Sequence, residues 1–132
     1  MGFGRRDYTG GSIAEGGSVG RFSNNFTQIA DIGIATMDIE VILDYTVPAG
    51  YYLYLTGWVV STQSPVIQWA ALYKDDWPIF FNWFILQQYF NIGNMGTFVF
   101  EAGSNLKIRG YNYDEKTYQF VTSIFGVLEK ID

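Results

Sequence analysis

The stretch MDIEVILDYTVPAGYYLYLTGWVVS, residues 37–61, decides the fold. Met37, Ile39, Val41, Leu43 and Tyr45 alternate with Asp38, Glu40, Ile42 and Asp44, the period of two that puts one strand face in a core and the other toward water. Val47-Pro48-Ala49-Gly50 follows; proline presets one dihedral angle and glycine supplies the freedom that a tight turn needs. Tyr51 to Ser61 then predicts a second strand, apolar on both faces. Tyr51, Leu53, Leu55 and Val59 share one side, and Tyr52, Tyr54, Trp58 and Val60 the other.

The same grammar continues outward. Ser64-Pro65 breaks the chain before a strand from Val66 to Lys74, and Asp75-Asp76 forms a polar turn into Trp77 to Gln87. Asn91 to Gly96 is loop chemistry. Thr97 to Ala102, Leu106 to Tyr113 and Tyr118 to Leu128 are strands separated by Gly103-Ser104-Asn105 and Asp114-Glu115-Lys116. About eight strands at this spacing predict an all-β antiparallel sandwich or barrel. Helical periodicity is weak throughout, and the aromatic load of Ile79 to Phe90 favours strand over a buried helix.

Composition narrows the chemistry. The 132 residues suit one domain. With no cysteine and no histidine, serine triads, Cys-His dyads and zinc-thiolate sites are excluded, and an enzyme would have to work with carboxylates, lysine or tyrosine. Asp75 and Asp76 stand beside Trp77, but adjacent residues point apart and cannot flank one glycosidic bond. Asp38, Glu40 and Asp44 share a predicted strand face; a hard cation needs about six to eight oxygens, usually from loops, so no metal and no cofactor is expected. Gly2-Phe3-Gly4 and Gly16-Gly17 follow no strand and precede no Lys-Ser or Lys-Thr, so they are not a phosphate cradle. The reading is a non-enzymatic protein. No run is apolar for the roughly 18–20 residues of a membrane span, and neither a membrane nor nucleic acid is an expected partner.

Residues 1–25 stand apart from the rest. Seven of the fifteen glycines lie between Gly2 and Gly20, and isolated Ile13 and Val19 cannot build a core. Arg5, Arg6 and Arg21 against Asp7 and Glu15 leave this segment at +1, so the other 107 residues carry −6 of the net −5. The expected organisation is an N-terminal arm, 1–25, ahead of a β-domain, 26–132. The arm would order against a partner or a neighbouring copy. Arg5, Arg6 and Arg21 offer charge-assisted hydrogen bonds to carboxylates there, and Tyr8, Ile13 and Phe22 the apolar anchors.

Aromatic residues make up 19% of the chain, and they crowd two strands. In Trp77 to Phe90, Ile79, Phe81, Trp83 and Ile85 oppose Phe80, Phe84 and Leu86. Only one face of a strand can enter a single core, so the surplus face predicts an oligomer. Tyr52, Tyr54, Trp58, Phe80 and Phe84 are the candidate interface residues.

Val47-Pro48-Ala49-Gly50-Tyr51, then Phe100-Glu101-Ala102-Gly103-Ser104-Asn105-Leu106-Lys107-Ile108, then a closing strand ending Ile124-Phe125-Gly126-Val127-Leu128-Glu129 resemble segments of small jelly-roll structural proteins of tailed phages and related viruses, among them capsid cement and decoration proteins. The resemblance covers roughly residues 47–129 in pieces. It implies a jelly-roll-like β-sandwich on the virion surface, assembling as a homotrimer and contacting the major capsid protein or another virion protein through the arm. The alternative is a carbohydrate- or receptor-binding jelly-roll module, such as a virion fibre or tail component.

Overall fold

Alternating β-branched and aromatic side chains hold nearly every segment extended. The computed structural model describes residues 6–10, 23–91 and 98–131, and among them there are ten strands and no helix. They are β1 (Arg6–Gly10), β2 (Ser23–Ile34), β3 (Ile39–Thr46), β4 (Tyr51–Thr62), β5 (Gln68–Lys74), β6 (Trp77–Phe84), β7 (Gln87–Asn91), β8 (Phe98–Phe100), β9 (Asn105–Tyr111) and β10 (Tyr118–Lys130). One sheet runs β1-β2-β10-β4-β7, with β8 following β7 along the same edge of β4. The other runs β3-β9-β5-β6.

All pairings are antiparallel, and they nest. β2 pairs with β10, β3 with β9, β4 with β7 and β8, and β5 with β6. The chain is thus one long hairpin, its tip at Asp75-Asp76, rolled so that successive arms alternate between sheets. This winding is the jelly roll, which closes a sandwich with few free edges. The seven strand ranges read from the sequence fall on β3, β4, β5, β6, β8, β9 and β10, and β1, β2 and β7 are additional.

The tip explains its sequence. Asp75 and Asp76 occupy a two-residue loop at φ 51° and 66°, the left-handed pair of a type I′ hairpin turn, which aspartate tolerates better than bulkier residues. Gly50 (φ 87°) and Gly103 (φ 84°) sit third in two further turns, closed by Tyr51 N–H donating to Pro48 O (3.2 Å) and Ser104 N–H to Glu101 O (2.9 Å). Those two turns are tied together: Val47 N–H donates to Ser104 O (3.0 Å) and Gly103 N–H to Val47 O (2.9 Å).

Three bulges redirect the expected faces. On β4 the extra residue is Thr56, between the pairs Gly57–Phe125 and Leu55–Gly126. Parity therefore switches, and Leu53, Leu55, Trp58 and Val60 all enter the core, each fully buried. The two apolar faces expected for Tyr51 to Ser61 are mostly one face, cut by a bulge. On β3 the extra residue is Ile42, between Val41–Arg109 and Leu43–Ile108. Ile39 is consequently 40% exposed, while Ile42 and Leu43 are buried. The uniform alternation expected from Met37 to Tyr45 does not hold, and Met37 lies before the strand at φ 57°. On β6 the extra residue is Ile79.

Gly126 makes the β4 bulge possible. A Cβ there would collide with the Tyr54 carbonyl oxygen and stand 3.1 Å from Leu55 Cα; both are backbone atoms held by the sheet, so neither can swing away. Gly126→Ala should lower unfolding free energy by about 2–3 kcal/mol, the cost of an overpacked site, read as a lower urea midpoint at unchanged slope. An unchanged midpoint would show that the sheet yields there.

The opposite end of the sandwich from the hairpin tip is held by polar side chains. Ser64, Gln68 and Asn112 are fully buried. Gln68 Nε2 donates to Ser64 Oγ (2.8 Å) and to Asn112 Oδ1 (3.1 Å), while Gln68 Oε1 accepts from Tyr113 N–H (2.6 Å). Ser64 Oγ donates to Asp114 Oδ2 (2.6 Å), and Thr36 Oγ1 donates to the Asp114 carbonyl. That serine bond, followed by the Glu115 N–H and the Lys116 charge, holds the Asp114 carboxyl below its usual range.

The expected boundary at residue 25 falls inside β2, and Arg6–Gly10 pairs along Thr27–Asp31 as an edge strand of the larger sheet. That part of the expected arm belongs to the sandwich. Arg6 and Tyr8 stand opposite Asp31 and Ile29. Arg5, Ile13, Arg21 and Phe22 lie outside the described residues.

Candidate functional site

The four-stranded sheet presents an aromatic outer face. Along β5, Gln68, Ala70 and Leu72 turn inward, so Trp69, Ala71 and Tyr73 turn outward. The register carries this parity sideways. Trp69 pairs with Trp83 on β6 and with Tyr111 on β9, while Ala71 pairs with Phe81 and Arg109. Ile39 on β3 lies opposite Tyr111.

These side chains touch one another. Trp69 and Phe81 have ring centroids 6.3 Å apart, Trp83 and Tyr113 5.4 Å, and Tyr111 and Tyr113 4.2 Å. Arg109 lies over the Tyr73 ring at 4.9 Å, a cation–π contact. Small Ala71 sits beneath its larger neighbours and is fully covered. Phe81 remains 61% exposed, Trp83 47% and Tyr113 38%. Ile67, two residues before Trp69, is also exposed. At roughly 150–250 Å² per aromatic side chain, the open fractions of this face amount to on the order of 400–500 Å². That is the scale of the largest patch a monomer shows, and such patches are often functional.

A charged rim borders the face near the hairpin tip. Lys107 Nζ lies 2.9 Å from Asp76 Oδ1, and Arg109 Nη2 3.8 Å from the same oxygen. The hydrogen bond from Lys107, then its charge, hold the Asp76 carboxyl below its usual range, with Arg109 adding to the effect. These pairs are solvated and add little stability; their role is to orient Arg109 and Lys107 beside the aromatic rings. Among the described residues strand β6 is also the last of its sheet, so its outer edge can exchange hydrogen bonds with another chain, except that Pro78 has no N–H to donate.

The residues expected at an interface divide. Trp58 and Phe84 are core residues, at 0% and 3% exposure. Trp58 stacks on Phe90 at 4.4 Å and meets Phe80 edge-on at 6.2 Å. Phe80 packs against the same core. These three offer no docking surface, because their strand face is the inner one. Tyr52 and Tyr54 do lie on the outer side of β4, with centroids 6.4 Å apart; a hydrogen bond from Tyr54 to Glu129 raises the pKa of its phenol and pins it to β10. The residues that form the exposed face instead are Trp69, Phe81, Trp83, Arg109, Tyr111 and Tyr113. Their period-two spacing was visible, but with both faces of β6 apolar, spacing alone did not say which faced out.

Asp38, Glu40 and Asp44 do not form a site. Asp38 precedes β3, and the Ile42 bulge separates Glu40, opposite Gly110, from Asp44, opposite Lys107. Among the described residues no three carboxylates gather as metal ligands. Comparison of the chain with models of known protein families, with curated proteins and with solved structures finds no match.

Proposed function

We propose that this chain is a structural subunit of a virion, a jelly-roll capsid cement or decoration protein that assembles through the outer face of its four-stranded sheet. The observation that carries the reading is that face: Phe81, Trp83 and Tyr113, exposed, in ring contact with half-buried Trp69 and Tyr111 and bordered by Arg109. Tryptophan, tyrosine and arginine are the residues in which interface energy concentrates. The occupant is a second copy of the same chain. The described domain is acidic, and the aromatic rim carries both signs, with Lys107 and Arg109 beside Asp76, so two copies can meet without a large like-charge field. The sequence resemblance to capsid cement proteins supplies the virion setting and the trimer.

The virion role is tested by mass spectrometry of particles purified from cells that express the chain. The chain should be present at a fixed stoichiometry to the major shell protein. Its recovery only in the soluble lysate, with particles free of it, would contradict the reading.

A further inference from the structure

The loops at the end of the sandwich away from the hairpin tip carry apolar side chains into solvent. Met37 stands in the β2–β3 loop, Val66 and Ile67 in the β4–β5 loop, and Ile85 and Leu86 in the β6–β7 turn, each between 38% and 63% exposed. They adjoin one another. Ile67 and Ile85 continue from the paired Gln68 and Phe84, and the Leu86 carbonyl accepts from Thr62 N–H at 2.8 Å. Met37 N–H donates to Asn112 O at 2.7 Å, which sets it beside Tyr113, and Tyr113 is in ring contact with Trp83. At the other end the tips are small or charged: Pro48-Ala49-Gly50, Asp75-Asp76 and Ala102-Gly103.

Two features set these apolar tips apart from ordinary exposed residues. First, Met37 and Leu86 sit at φ 57° and 64°, where large apolar residues are seldom found, and strained backbone of this kind gathers at functional positions. Second, backbone groups at the tips are bonded within the chain. Besides the bonds of Met37 and Leu86, Asp38 N–H donates to Ala35 O (3.2 Å), Val66 N–H to Ser64 Oγ (3.3 Å) and Gln87 N–H to Ile85 O (2.6 Å). A loop that enters an apolar medium needs such bonds, because an unpaired backbone group is costly there.

We infer that this end of the domain inserts shallowly into the surface of a lipid bilayer. The foremost side chains are aliphatic, and the aromatic pair Trp83 and Tyr113 is set back behind them. That order matches the bilayer surface, with aliphatic groups toward the acyl chains and Trp and Tyr at headgroup level. The charged side chains of these same loops are Asp38, Asp114, Glu115 and Lys116. Their acidic excess fits the choline-bearing surface of a zwitterionic bilayer and opposes an anionic one. The expectation of no membrane partner rested on the lack of a spanning run, and an end that lies in the interface needs none. Insertion does not depend on the assembly proposed above, because Met37 and Leu86 belong to loops and not to the aromatic sheet face.

The test is flotation of the full-length chain with vesicles of phosphatidylcholine alone and of phosphatidylcholine mixed with phosphatidylserine. The chain should float with the first and less with the second. Met37→Asn combined with Leu86→Asn should weaken binding to phosphatidylcholine at least tenfold. Asparagine accepts a positive φ more readily than methionine or leucine, so this variant should melt at or above the parent temperature and keep the parent's mass by light scattering. Val66→Ser serves if the double variant does not fold, and should also weaken binding. Trp77→Ala, at a 73% exposed position beside the hairpin tip, should leave binding intact. Any of four results would overturn insertion. These are no flotation with either vesicle, stronger flotation with phosphatidylserine, full binding by the Asn variant, and an Asn variant of lower mass, which would make this end a contact between copies.

Discussion

Asn112→Ala is expected to destabilise the domain more than any other single truncation outside the apolar core. The Asn112 side chain is fully buried and uses all of its hydrogen-bonding capacity. Nδ2 donates to Ile34 O (2.8 Å) and Lys116 O (2.7 Å), and Oδ1 accepts from Asp114 N–H (2.8 Å) and Gln68 Nε2 (3.1 Å). These bonds join the end of β2, the loop before β10 and the start of β5. Alanine would leave two carbonyls and two donors unpaired, each costing about 1–3 kcal/mol where water cannot reach. With partial hydration the loss should be about 4 kcal/mol, a large part of a total near 5–15 kcal/mol. Equilibrium urea unfolding reads it directly. A loss below about 1 kcal/mol would mean that water enters and replaces the amide.

The second large effect concerns assembly. Phe81→Asp combined with Trp83→Asp places two carboxylates on the most exposed, β6 side of the aromatic face. Both side chains are largely open to solvent in the single chain, so the isolated fold should melt within a few degrees of the parent. Burying the new charges against a second copy would leave them unpaired, at a cost of several kcal/mol. The variant should therefore be a folded monomer at concentrations where the parent associates. An oligomer of unchanged mass would place the contact elsewhere, and the outer face of β4 with Tyr52 and Tyr54 would be the next surface to alter.

Much of this architecture was legible in the residues. Turn chemistry at Pro48-Ala49-Gly50, Asp75-Asp76 and Gly103-Ser104-Asn105 marked three corners of the sandwich, and the strands between them fall close to where alternation placed them. The bulges were not legible. An extra residue such as Ile42 or Thr56 looks like any strand residue, because what makes it a bulge is the pairing of a partner strand more than fifty residues away. That hidden shift assigned Trp58 to a surface and left Ile39 in a core. The turn at Ile85-Leu86, which carries the chain from one sheet to the other, was hidden for a related reason: leucine gives no hint of a positive φ, and Trp77 to Gln87 read as one strand. Gln68 and Asn112 look like ordinary polar residues in sequence, and their burial follows from three loops meeting at one end. The aromatic surplus was legible as a demand for cover, while the face that lacks it emerged only from the register of β5 against β6 and β9.

Light scattering of the full-length chain tests the central claim most directly. A protein that assembles through its aromatic sheet face should give a mass that is a multiple of 15.0 kDa, three-fold for the proposed trimer, and should fall to a single chain when Phe81 and Trp83 are both changed to aspartate. A parent that remains at 15.0 kDa up to high concentration, soluble and with its tryptophans open to quencher, would contradict the account.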